Sequence, residues 1–203
     1  RRHREHGRPR EVVRAAMEEL AALGTVTKRS PVIESAPVGP AQRRFANAAA
    51  ELESDLTPPD LLRELKRQER GFGRRSGQAW GDRVLDLDIV LWSGGVWDEG
   101  GLAIPHMHFR ERGFVLGPAS AISPTWRDPF TGMSLRHLQA RLTRAHQALV
   151  SNPLAADLDP LDRDAEFTRY GGSPPEFHPR VLGCSADLMI VRIQLIEPLI
   201  RRI

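Results

Sequence analysis

Trp80-Gly81-Asp82-Arg83-Val84-Leu85-Asp86-Leu87-Asp88-Ile89-Val90-Leu91-Trp92 decides how this chain is read. From Val84 onward the residues are apolar and β-prone, which predicts a buried strand over residues 84–92. Two acids interrupt it. Strand side chains alternate faces, so Asp86 and Asp88 share one face about 6.6 Å apart, and Leu85, Leu87 and Ile89 take the other. Two half-buried carboxylates side by side repel, and each is costly to desolvate. A sequence retains such a pair when a cation compensates it, and the hard oxygen-loving ion Mg²⁺ is the expectation. Arg83 stands three residues before Asp86, and a basic run from Arg63 to Arg75 lies just upstream. Acids for a metal beside arginines for phosphate are what phosphoryl transfer requires.

Outward from that strand, the chain divides by texture. Residues 1–146 read as one domain, and residues 147–203 as an extension of unknown role. The extension holds the acidic cluster Asp157, Asp159, Asp162, Asp164 and Glu166 and the linker-like Gly171-Gly172-Ser173-Pro174-Pro175, and its apolar end, residues 189–203, receives no role. Val12, Val13, Ala16, Met17, Leu20 and Ala21 recur at helical spacing up to Gly24. Residues 25–34 read as one strand. Residues 45–52, rich in alanine, read as helix. Thr57-Pro58-Pro59-Asp60 predicts the start of an amphipathic helix over residues 61–70. Ser134 is the candidate cap of a helix over residues 134–145.

Gly71-Phe72-Gly73-Arg74-Arg75-Ser76-Gly77 lacks the Gly-Lys-Ser/Thr ending of a phosphate-binding P-loop and is not a dinucleotide fingerprint. A nucleotide would have to be held by arginines and metal. A formal charge of +3, a pI near 9.7 and six Arg against two Glu between Arg1 and Arg14 would suit nucleic acid. Aromatics that are few, at 6%, and not interleaved with the basic runs argue against it. Another Mg-dependent nucleotidyl- or glycosyl-transferring enzyme sharing only the Asp-x-Asp logic is the second alternative. The single cysteine, Cys184, excludes an internal disulfide. With no span-length apolar stretch, it predicts a cytoplasmic protein that does not engage membranes.

Arg83-Val84-Leu85-Asp86-Leu87-Asp88-Ile89-Val90 resembles the signature of the 6-hydroxymethyl-7,8-dihydropterin pyrophosphokinase family. Three weaker matches follow the family order: Ser35-Ala36-Pro37-Val38-Gly39-Pro40, then Phe45-Ala46-Asn47-Ala48-Ala49, then Ile104-Pro105-His106 with Arg112-Gly113-Phe114-Val115-Leu116. The resemblance covers about residues 10–145. It implies an α+β, ferredoxin-like fold with a mainly antiparallel sheet covered by helices, and a monomer that moves the β,γ-diphosphate of ATP onto the pterin hydroxymethyl group. By the same resemblance Asp86 and Asp88 ligate two Mg²⁺ ions, and Arg83, Arg74 and Arg75 steady the triphosphate. Lys66, Glu69, His106 and Arg112 face ATP. Asn47, Phe45 and Phe114 hold the pterin, with Ser35 and Val38 in its loop. Trp80 belongs to a closing loop, and residues 36–44 and 71–83 are the expected lids. No general base stands out.

The chain also departs from the family. The family opens with a central strand ending Gly-Ser-Asn, which this chain lacks, so a gap in the sheet is expected. Met107 stands where an aromatic residue can follow Pro-His, Ala36 replaces a loop proline, and the loop at Gly73-Arg74-Arg75 is one residue shorter.

Overall fold

A computed structural model of the chain describes residues 9–35, 45–72, 85–151 and 187–196. The fold is α+β, with an antiparallel sheet between two helical layers, as the resemblance implies. In chain order the elements are α1 (Pro9–Glu19), a 3-10 turn (Leu20–Ala22), β1 (Thr25–Arg29), β2 (Ile33–Ser35), β3 (Phe45–Ser54) and α2 (Pro58–Gly71). Then come β4 (Leu85–Trp92), a β5/β6 hairpin (Trp97–Glu99, Leu102–Ile104), α3 (Gly113–Ile122), α4 (Leu135–Ser151) and β7 (Asp187–Ile196). The main sheet runs β1-β3-β7-β4, with β2 also on β3, and every pairing is antiparallel.

Three expectations fail here. Residues 45–52 form a strand, not a helix. Alanine favours helix intrinsically, but tertiary context overrides a propensity worth tenths of a kcal/mol per residue. Ala46, Ala48 and Ala50 join the core under α1 and α2, while Ala49 joins the core under α3 and α4. Small side chains let helices approach both faces of this strand. The apolar end of the chain, given no role above, supplies β7, which fills the central place expected to be a gap. Ten residues of β7 pair with β3 and seven with β4, and the sheet therefore crosses the expected boundary at residue 146. Met189, Val191 and Ile193 face one core, and Ile190 faces the other. Replacing fully buried Ile193 by Ala should cost about 3 kcal/mol in urea denaturation; an unchanged midpoint would remove β7 from the core.

The expected single strand over residues 25–34 is two short strands. Pro31 has no N–H to donate to a ladder, and Ser30 spans the break. Its N–H donates to the Ala49 carbonyl, and its hydroxyl accepts from the Ala49 N–H, both at 2.9 Å. Gly24 is required just before β1, because a Cβ there would lie 2.1 Å from the Glu53 carbonyl oxygen.

The other local signals hold. Thr57 caps α2 by accepting from the Asp60 N–H, with Pro58 and Pro59 in the first turn. Ser134 accepts from the His137 N–H at the start of α4. Among the described residues, no helix is long and apolar enough to cross a membrane.

Candidate active site

Asp86 and Asp88 share one face of β4, and Leu85, Leu87 and Ile89 enter the core on the other, as their spacing predicts. Antiparallel register then builds two rows across the sheet. Asn47 on β3, Gln194 on β7 and Asp86 on β4 make one row; Ala49, Arg192 and Asp88 make the next. Phe45 opens β3 and, two residues before Asn47, shares its face. On that side of the sheet lies α3, with half-buried Phe114 in its first turn packed on the second core.

Among the described residues β4 is an edge strand, and α2 covers its outer rim. Buried Glu69 accepts from the Leu87 N–H at 2.8 Å, and Lys66 Nζ donates to the Leu87 carbonyl at 2.9 Å and to Glu69 at 2.5 Å. These bonds satisfy the backbone groups that an edge strand leaves open. They also bring the Lys66 ammonium to 3.4 Å from Asp88 Oδ1 and 3.5 Å from Asp86 Oδ1. After the cis Ile104–Pro105 bond, the His106 N–H donates to the Val90 carbonyl at 3.0 Å and continues the same rim. Arg112 precedes the first turn of α3.

A second cation reaches the acids from inside the sheet. Arg192 is 4% exposed, and its Nη2 donates to Asp86 Oδ2 at 2.7 Å and, more closely, to Asp88 Oδ2. Its Nη1 donates to Gln194 Oε1 at 2.6 Å. The acids were expected to face metal; here Arg192 and Lys66 supply the compensating charge. Burial opposes ionisation of Asp88, but Arg192 and Lys66 outweigh it and hold its carboxyl below the usual range. Lys66 is likewise desolvated, yet Asp88, Glu69 and Asp86 keep its ammonium more basic than usual. Burial, joined by Arg192, Arg112 and His108, holds His106 below its ordinary value despite Asp88, which favours neutral imidazole near pH 7.

The loop carrying His106 and Arg112 is anchored behind the site. The Arg110 guanidinium lies over the rings of Phe109 and Phe130, 4.5 and 5.3 Å from their centroids. Its Nε donates to fully buried Asp128 at 2.8 Å. On β3, buried Glu51 takes bonds from Lys28 and Thr27 and, more closely, from Ser123 at the end of α3.

Lys66, Glu69, Asp86, Asp88, His106 and Arg112 are thus brought together along the β4 rim, with Asn47 in the row of Asp86 two strands away on β3. Val38, Arg74, Arg75, Trp80 and Arg83 lie outside the described residues, as do residues 36–44 and 73–83 of the expected lids. Ser35 is described only in its backbone, paired with Phe45 at the end of β2. Sequence reasoning missed Arg192 and Gln194. The signal was present: Arg192-Ile193-Gln194 sets two polar residues two apart in an apolar run, the same one-faced pattern as Asp86-Leu87-Asp88.

The donor set is chemically suited to a hard divalent cation, since two carboxylates on one face already hold positive charge. Among the described residues no group of three or more His, Cys, Asp and Glu gathers for a metal, so the acid pair is the candidate.

The protein is thus of the α+β class, with an antiparallel sheet that carries paired acids on one face and cationic groups along its rim. The chain belongs to the 7,8-dihydro-6-hydroxymethylpterin-pyrophosphokinase (HPPK) family, whose model matches residues 5–124, more than half its length. It is 40% identical over 124 residues to the 2-amino-4-hydroxy-6-hydroxymethyldihydropteridine pyrophosphokinase of Pseudomonas aeruginosa, covering 60% of this chain and 76% of that one. The Synechocystis enzyme of the same name is 35% identical over 128 residues, 62% of this chain and 66% of the relative. The Folic acid synthesis protein fol1 of Schizosaccharomyces pombe is 36% identical over 114 residues, 56% of this chain and 16% of that protein. The family match ends well before β7, so Arg192 and Gln194 come from outside the matched region.

Proposed function

We propose that this chain transfers the β,γ-diphosphate of ATP to the hydroxymethyl group of 6-hydroxymethyl-7,8-dihydropterin, a step of folate biosynthesis. The observation that carries the reading is the convergence of Asp86 and Asp88 with Lys66, His106 and Arg112 on one rim, within the family-matched region. In the transfer, the pterin hydroxyl oxygen bonds to the β-phosphorus and the bond from that phosphorus to the α,β-bridging oxygen breaks. AMP leaves with that oxygen, and the hydroxyl proton passes to solvent.

Catalysis of this kind needs position and charge, not a covalent intermediate. Lys66, His106 and Arg112 would face the triphosphate, together with Arg74, Arg75 and Arg83. Glu69 orients Lys66 by a direct bond. Asn47 would hold the amide edge of the pterin, and Phe45 and Phe114 its flat faces, with Ser35 and Val38 in the adjoining loop. Mg²⁺ at Asp86 and Asp88, two ions by the resemblance, would neutralise charge on the transferring group when bound. Residues 36–44 and 73–83, with Trp80, would close over the substrates, whereas Gly71 ends α2 and Phe72 is buried in the core. The reading is of a monomer, because every residue it invokes belongs to one chain, and of a reducing, cytoplasmic setting, which the single cysteine favours.

Incubating the purified protein with ATP and the hydroxymethyl pterin should release AMP only when the pterin is present. AMP release without pterin dependence, or release of pyrophosphate instead, would overturn the assignment, the latter favouring a nucleotidyl transferase. Phe114→Ala should weaken pterin binding about tenfold, as loss of a stacking ring does, and leave ATP binding unchanged. Equal weakening of both, by calorimetric titration, would make Phe114 a packing residue.

A further inference from the structure

We infer that Arg192 is the built-in counter-cation of the Asp86–Asp88 pair, so that its guanidinium competes with a divalent metal there and β7 sets the metal affinity of the site. Three observations support this. Arg192 stands in register opposite Asp88 on the strand next to β4, one row from Asp86. Its Nη2 touches Oδ2 of both acids, while Lys66 faces Oδ1 of both. All four carboxylate oxygens therefore already face a positive nitrogen.

A Mg²⁺ ion needs oxygens at about 2.0–2.1 Å in near-octahedral order. At Oδ2 of Asp86 it would have to share the oxygen with a guanidinium nitrogen 2.7 Å away, which already takes up part of that oxygen's negative charge. Seating both would also press unlike-sized positive charges together at a site of low exposure, where repulsion is weakly screened. Arg192 is itself buried and held by Gln194, so it is a fixed part of the sheet and not a surface side chain that swings away freely. The inference deepens the proposed function at one point, the acid pair as a cation site, and is independent of which substrate is used.

The test is Mn²⁺ binding, followed by calorimetry and water-proton relaxation. Arg192→Met should bind Mn²⁺ at least tenfold more tightly than the natural chain, because the acids lose their internal counter-charge. Arg192→Lys, which keeps the charge, should stay within a few-fold of the natural chain. Adding Asp88→Asn to Arg192→Met should abolish the gain. Equal Mn²⁺ affinity with and without Arg192, or a gain that survives Asp88→Asn, overturns the inference. If Arg192→Met is unfolded alone, Mn²⁺ should refold it by circular dichroism where NaCl of equal ionic strength does not; failure to refold also overturns it. Absence of pterin-dependent AMP release would sink the proposed activity while leaving these binding results intact.

Discussion

Replacing Asp88 by Ala is expected to lower kcat/KM for pterin-dependent AMP release about 10³-fold, the scale of removing one preorganised electrostatic group. Asp88 is the residue on which the rim converges. It meets Arg192 from β7 and Lys66 from α2, and its charge acts on His106 and Arg112. Stability should move little, by about 1–2 kcal/mol, because the substitution removes repulsion with Asp86 at the same time as it removes a partner of Arg192. AMP release measured beside urea denaturation separates the two effects. Turnover near that of the natural chain would take Asp88 out of the chemistry.

The largest loss of stability is expected from Arg110→Met, about 3–5 kcal/mol, because it strands a fully buried carboxylate. The urea midpoint at constant m measures it. The effect should depend on pH in a definite sense. Burial raises the Asp128 carboxyl, but bonds from Arg110 and Thr131 outweigh burial and hold it below the usual carboxylate range. A folded-state value below the unfolded one contributes stability above the unfolded value, about 3.9, and loses it as pH falls through the folded value. Without Arg110 the stranded group instead favours protonation. The gap between the two proteins should therefore narrow as the solution is made acid. A loss under about 1 kcal/mol at neutral pH would mean that Asp128 finds water once Arg110 is gone. Arg110 and Asp128 also anchor the loop bearing His106 and Arg112, so activity should fall along with stability.

The legible parts of the site are those that depend on neighbours in sequence. Asp86 and Asp88 lie on one face because strand geometry has a period of two, whatever packs beside it. Thr57, Pro58 and Pro59 start α2 by local chemistry, and that helix then delivers Lys66 and Glu69 to the rim. The misread segments are those whose state depends on distant partners. Residues 45–52 carry a helical composition, and only flanking strands and helices on both faces make them β3. The apolar run that becomes β7 is too ambiguous alone to be assigned a partner, although its Arg-x-Gln pattern already matched a strand with one polar face.

By its own order of residues, then, the chain determines that β4 is apolar on one side and doubly acidic on the other, and that such a pair must be compensated. Which cation compensates it is decided by the tertiary structure. Register between β7 and β4 sets Arg192 against Asp88, 104 positions away in sequence, and carries its guanidinium to both carboxylates. Local periodicity can state that a charge must be balanced, but the balancing group is chosen by whichever strand fills the neighbouring place in the sheet.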